Sequence, residues 1–234
     1  MKSQMREELG DVLWYLAVIA REFDLDLDDV AIASLGKNAD RWKPTASEEI
    51  ILDVGYPANE QLPRQGRFIF ELKTLPDGRT ASMVTLEGQS VGDPLTDASH
   101  IQDGYRFHDA CHLAHAAVLG WSPVLRSLMK RKRRSNPAVD EAEDGGRAIA
   151  IEEGISALVF AYAADHDYLA GVQRLDHELL DTINRMVAHL EVSCHRIADW
   201  EKAILTGYEV WRTLNERGGG VVEFDMTRQS LKVV

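Results

Sequence analysis

Glu7-Glu8-Leu9-Gly10-Asp11-Val12-Leu13-Trp14-Tyr15-Leu16-Ala17 decides how the first part of the chain is read. Leu9, Val12, Leu13, Leu16, Ala20 and Phe23 recur at helical spacing, which predicts a helix over residues 3–22. Between Leu9 and Ala20 the only charge is Asp11. A helix that is apolar nearly all round is expected to be buried, and a carboxylate in such surroundings is costly unless something neutralises it. A divalent cation does so, and so does a basic side chain from a neighbouring helix. Mg²⁺ favours one or two protein carboxylates together with substrate phosphates. Glu8 lies three residues before Asp11 and Glu7 four, so either pair shares one side of a helix. The helix dipole alone also favours acids in a first turn, so spacing leaves both readings open.

Working outward, Asp26 with Asp29 reads as the N-terminal cap of a second helix from about Leu27 to Arg41, and Pro44 forbids much continuation. The two helices make a hairpin. Residues 43–66, with three prolines and two glycines, read as a linker. Residues 67–75 alternate as a strand with Phe68, Phe70 and Leu72 on one face, Pro76-Asp77-Gly78 is a hairpin turn, and residues 80–87 form the return strand. Helices are expected over 104–119, after Ser122-Pro123 and Asn136-Pro137, and over 147–164, 175–192 and 198–216. Residues 220–225 read as a strand able to join the hairpin. The expected fold is mainly α: a helical bundle with a small antiparallel sheet of two or three strands. The expected divisions are 1–43 (partial helical hairpin), 44–103 (linker and β-hairpin) and 104–234 (helical domain ending in a short strand).

Composition narrows the function classes. Lys and Arg number 26 against 38 Asp and Glu, a net charge of -12 that repels nucleic acid and acidic membranes in general. Nucleic acid is therefore not an expected partner except through the basic run Lys130-Arg131-Lys132-Arg133-Arg134, which otherwise reads as a solvated loop beside a helix end. Cys111 and Cys194 sit on separate helical segments and read as inert thiols of a reducing compartment. The longest apolar stretch, Val12 to Ala20, is too short to span a bilayer. With no signal-peptide layout at the N-terminus, the expected location is the cytoplasm.

Taken with Leu25-Asp26-Leu27-Asp28-Asp29-Val30, Leu35-Gly36-Lys37 and Asp40-Arg41-Trp42, the opening stretch resembles the second half of the MazG-type nucleoside triphosphate pyrophosphohydrolase domain over residues 5–42. The resemblance implies an all-α fold and hydrolysis of nucleoside triphosphates to the monophosphate and pyrophosphate. It also implies dimers or tetramers, and metal ligands in an ExxE pair and a later ExxD pair. Glu8 and Asp11 match ExxD, and Lys37 matches the lysine that faces the phosphates. Ser34 stands where members often have Asn. The ExxE helix has no counterpart within residues 5–42, so the resemblance requires another segment or a partner chain to complete the cage. Ile151-Glu152-Glu153-Gly154-Ile155-Ser156 echoes ExxE, with Ser156 in place of the second glutamate, and makes Glu152 and Glu153 candidate metal ligands. The segment after residue 43 resembles the C-terminal extension of some MazG-type proteins.

A second constellation lies between residues 105 and 153. His108, His112 and His115 fall on one helical stripe, with Asp109 three residues before His112. Two histidines four apart can ligate one metal; histidines hydrogen-bonded inside a helical core give the same pattern. Gly145-Gly146-Arg147 at a helix start can bind an anion through free N–H groups and the guanidinium.

The leading expectation is therefore a homo-oligomeric, Mg²⁺-dependent hydrolase of nucleoside triphosphates, with Mn²⁺ as the alternative cation. Glu8 and Asp11 would hold the metal, Glu7 would orient water, and Lys37 and Arg41 would neutralise phosphate charge. Two rivals stand beside it: a non-enzymatic oligomerisation module that binds a nucleotide or protein, and a metal-dependent hydrolase centred on His108, His112 and Glu153, with Asp109 and Arg147 nearby.

Overall fold

The computed structural model describes residues 2–41 and 51–234, with side chains at 4–35 and 51–234. The chain divides into two compact units, Met1–Lys43 and Pro44–Val234.

The first unit is a helical hairpin. α1 spans Lys2–Glu22 and α2 spans Leu27–Arg41. Asp26 caps α2 as its position suggests, its Oδ1 accepting the N–H groups of Asp28 at 2.8 Å and Asp29 at 3.1 Å. The expectation of a buried α1 is corrected. Among the described residues of this unit only Ala20 is buried, while Leu13, Trp14, Ile19 and Ile32 are more than half exposed. The physical reason is that a helix apolar on several sides needs neighbours on each of them, and the described residues of this unit hold only two helices.

The second unit carries a five-stranded antiparallel sheet under a layer of helices. β1 (Gln65–Thr74) pairs with β2 (Thr80–Leu86), and β2 with the short β3 (Gln89–Ser90). The helices α3 (Asp109–Leu119), α4 (Pro123–Leu128), α5 (Pro137–Ala142), α6 (Gly146–Ala164), α7 (His177–Met186) and α8 (Ile197–Arg217) follow. The chain then returns through β4 (Gly219–Asp225), which pairs with β1, and β5 (Ser230–Val233), which pairs with β4. The sheet order is β3-β2-β1-β4-β5. Alternation puts Phe68, Phe70, Val84, Val222 and Phe224 into the core, whereas Leu72, read with them, is exposed at the far end of β1.

α3 and α8 pack along each other and against β4 and β5. The approach is close because α3 offers Ala110, Ala114 and Ala117, all fully buried, and α8 offers Gly207. A Cβ on Gly207 would lie 3.1 Å from the Ala114 Cβ and 3.3 Å from the Cys111 Cα. Gly207→Val is therefore expected to cost about 1–3 kcal/mol by overpacking, read as a lowered urea midpoint; an unchanged midpoint would show that the crossing can open freely.

Three sequence expectations change. The sheet has five strands rather than two or three. β5 forms because Asp225 Oδ1 accepts from the Arg228 N–H at 3.0 Å and the Thr227 hydroxyl at 2.7 Å, fixing a turn that no apolar pattern announces. The helix read over 104–119 opens with a 3-10 turn at Tyr105–Phe107, and α3 starts at Asp109. The helix read over 175–192 stops at Met186. Beyond it, Glu191 is held from outside: Glu143 accepts its N–H at 3.0 Å and Arg133 takes its carboxylate, and these long-range bonds win over helical continuation.

Candidate functional site

Glu7, Glu8 and Asp11 lie on α1 and are exposed. Among the described residues they do not converge into a three-ligand cluster. Lys37 and Arg41 belong to α2, but their side chains lie outside the described residues.

The second unit gathers its chemistry around the start of α3 and the middle of α6. Glu152, fully buried on α6, is the hub. Its Oε1 accepts from His112 Nδ1 at 2.9 Å and His115 Nδ1 at 3.0 Å. Its Oε2 accepts from the Ser122 hydroxyl at 3.0 Å and the Val124 N–H at 2.9 Å. Ser122 is also the N-cap of α4, its Oγ accepting from the Leu125 N–H at 2.9 Å. Sequence reading found that cap from the Ser-Pro pair but not the bond to Glu152, which joins residues thirty apart and leaves no local signal. Glu152 is thus enclosed within its own unit, with four donors on its two oxygens.

The other side of His112 is different. Its Nε2 is buried without a hydrogen-bond partner. The nearest acid oxygen across from it is Glu153 Oε2 at 3.7 Å, on a side chain 42% exposed, too long for a hydrogen bond. His108 sits one residue before α3 and its Nδ1 lies 2.8 Å from the Tyr105 carbonyl. His108, Asp109 and His112 bring one ligand atom each within 4.8 Å of one another, and so do His112, His115 and Glu152. Arg147, at the start of α6, is exposed, and the ion-paired carboxylate Glu153 faces His112 rather than Arg147.

The charges follow this geometry. Burial by itself would pull the His112 imidazole down, but the Glu152 charge and hydrogen bond outweigh it and hold His112 up at about 10. Burial would likewise raise Glu152, yet the two imidazoles bring it down to about 2. Asp109 is raised by burial, which the neighbouring histidines only partly offset. His108 is lowered, chiefly by burial. Burial pushes the Cys111 thiol up to about 12, leaving it inert as expected.

Part of the basic run is spent on holding the unit together. Arg133, fully buried, bonds Asp144 Oδ1 at 2.8 Å, Glu191 Oε2 at 2.9 Å and the Leu52 carbonyl at 3.2 Å. Arg131 reaches the Gln61 carbonyl at 2.7 Å. Lys130 and Arg134 are exposed. Arg126, also buried, donates to Asp53 Oδ2 at 2.7 Å and the Glu60 carbonyl at 2.8 Å. Burial raises the Asp53 carboxyl, but bonds from Arg64 and the Leu62 N–H, with the Arg126 charge, bring it below its ordinary 3.8. A depressed carboxyl contributes stability that is present above 3.8 and lost as pH falls through the folded value. The urea midpoint is therefore expected to fall as pH drops below about 4, and less steeply in Asp53→Asn. Parallel pH profiles for the two proteins would contradict this.

No helix among the described residues is long and apolar enough to cross a membrane. The chain was compared with known proteins. Neither curated proteins nor solved structures gave a match. Two family models did: one described as the MazG nucleotide pyrophosphohydrolase domain matches residues 1–45, and one described as the MazG C-terminal domain matches residues 47–234. MazG domains go with nucleotide pyrophosphohydrolase activity and with dependence on a divalent metal. With a helical hairpin matching the first model and a mixed α and β unit matching the second over most of its length, the chain belongs to the MazG family.

Proposed function

We propose that the chain hydrolyses nucleoside triphosphates to the monophosphate and pyrophosphate, using Mg²⁺ held by Glu8 and Asp11 in a homo-oligomer. The observation that carries this reading is the match of residues 1–45 to the nucleotide pyrophosphohydrolase domain; within that range Glu8 and Asp11 have the ExxD spacing. The donor set fits the ion: two exposed carboxylates three residues apart on one helix suit a hard cation that keeps waters and takes substrate phosphates. When bound, such a cation neutralises phosphate oxygens and makes water a better nucleophile. Lys37 and Arg41 neutralise the remaining phosphate charge, which is most of what phosphoryl transfer demands. Glu7 orients the attacking water toward the α-phosphorus. The uncovered apolar face of α1 supports an oligomer, because a patch of that kind needs cover. A second copy also offers the remaining acids of a metal cage. Glu152 is left out of this site, since its oxygens are taken inside its own unit.

The test is direct. The purified chain with Mg²⁺ and a panel of ribo- and deoxynucleoside triphosphates is expected to release pyrophosphate and monophosphate in equal amounts, and to stop when a chelator is added. Release of inorganic phosphate with the diphosphate, or no turnover on the whole panel, would overturn the assignment.

A further inference from the structure

We propose that the C-terminal unit holds a second, separate metal site, in which His108, Asp109 and His112 bind one transition-metal dication of the Zn²⁺ class, with Glu153 beside it on the solvent side. The two histidines present matching chemistry. A carboxylate and a carbonyl oxygen can only accept, so the Nδ1 atoms of His112 and His108 donate to Glu152 and Tyr105 respectively. Each ring is then oriented by a bond at Nδ1, leaving Nε2 to meet a cation. Histidines that ligate metals are held in this way, by a carboxylate or a backbone carbonyl on the far nitrogen.

The second observation is what lies at His112 Nε2. That atom is buried and has no hydrogen-bond partner, a costly arrangement for a polar group. A proton placed there meets Glu153 only at 3.7 Å. A metal ion that displaces this proton bonds Nε2 together with Asp109 and His108, whose ligand atoms lie within 4.8 Å of His112's. Asp109, 7% exposed, and His112 also border a small cavity otherwise lined by Val84, Val91, Leu113, Leu125 and Leu128. Glu153, half exposed, stands on the solvent side.

The donor set chooses the metal class. Two imidazoles with one or two carboxylates suit Zn²⁺ and its transition-metal neighbours, whereas Mg²⁺ prefers oxygen alone. The alternative triad of His112, His115 and Glu152 is less suited. A cation there would displace the Nδ1 protons of both histidines and compete with Ser122 and Val124 for Glu152.

The experiment uses the full chain, stripped with a chelator, dialysed, and titrated with Zn²⁺ by calorimetry and with Co²⁺ by visible absorption. One Zn²⁺ per chain is expected to bind and raise the thermal midpoint by at least ~3 °C. Co²⁺ is expected to give d–d bands of a site with nitrogen ligands. Asp109→Asn and His108→Gln, each checked for a native circular dichroism spectrum, are expected to weaken Zn²⁺ at least ~10-fold. The double variant Glu8→Gln/Asp11→Asn is expected to bind Zn²⁺ unchanged, whether or not the wild-type chain turns over nucleotides, so that failure of one proposal is distinguishable from failure of the other. No Zn²⁺ uptake by the wild-type chain, undiminished uptake in folded Asp109→Asn and His108→Gln, or loss of uptake in the hairpin variant would each overturn the site.

Discussion

Asp11→Asn should lower pyrophosphate release by about 10²-fold or more while leaving the helical circular dichroism spectrum unchanged. The substitution keeps size and removes the negative charge. A hard cation depends on that charge, and metal-assisted attack by water loses its main electrostatic support when the ligand set weakens. The fold should tolerate the change, because Asp11 is exposed on α1 and exposed substitutions usually cost little. Raising Mg²⁺ should recover part of the activity if affinity is what fell, so the assay should be run across Mg²⁺ concentrations. Activity within twofold of wild type at every concentration would remove Asp11 from the site, and with it the pyrophosphohydrolase mechanism drawn for this hairpin.

The largest effect on stability is expected from Glu152→Ala. The change strips the acceptor from two imidazoles, a hydroxyl and a backbone N–H, all in a place water does not reach. Breaking a buried charged pair by removing one partner costs about 3–5 kcal/mol, against a total of about 5–15 kcal/mol for a typical domain. Glu152→Gln should fall between the variants, since its carbonyl still accepts on one side while its amide confronts donors on the other. Trp200 stacks edge-on to His115 at 5.5 Å, and Trp121 to Trp200 at 6.0 Å, so tryptophan fluorescence reports the loss. A urea midpoint for Glu152→Ala within error of wild type would mean that the hub contributes nothing to folding.

The two regions stand differently in the sequence. The hairpin acids are singled out by an isolated charge in an apolar run and by ExxD spacing, and the site they would form is the proposal made above. The helices after Ser122-Pro123 and Asn136-Pro137 were legible from local spacing: both caps act over three residues, and both side chains accept as the pattern predicts. The hub was only half legible. The stripe of His108, His112 and His115 was visible, and so was Glu152, but not that they meet, since α3 and α6 are brought together by packing. The early stop of α7 and the strand β5 escaped because long-range hydrogen bonds to Glu191 and a local Asp225 turn decide them, not hydrophobic periodicity. Burial of α1 was misjudged because the pattern reports what a helix needs, not whether its own chain provides it.

The pairing of β1 with β4 carries a consequence for synthesis. Phe68 sits opposite Val222, so the central seam of the sheet joins stretches made near the beginning and near the end of this unit's translation. Closing so wide a loop is entropically slow. Until β4 emerges from the ribosome, β1 keeps an open edge, exposing the nascent chain to wrong partners. Chaperone capture should accordingly favour polypeptides halted before Gly219 over those released with both strands present.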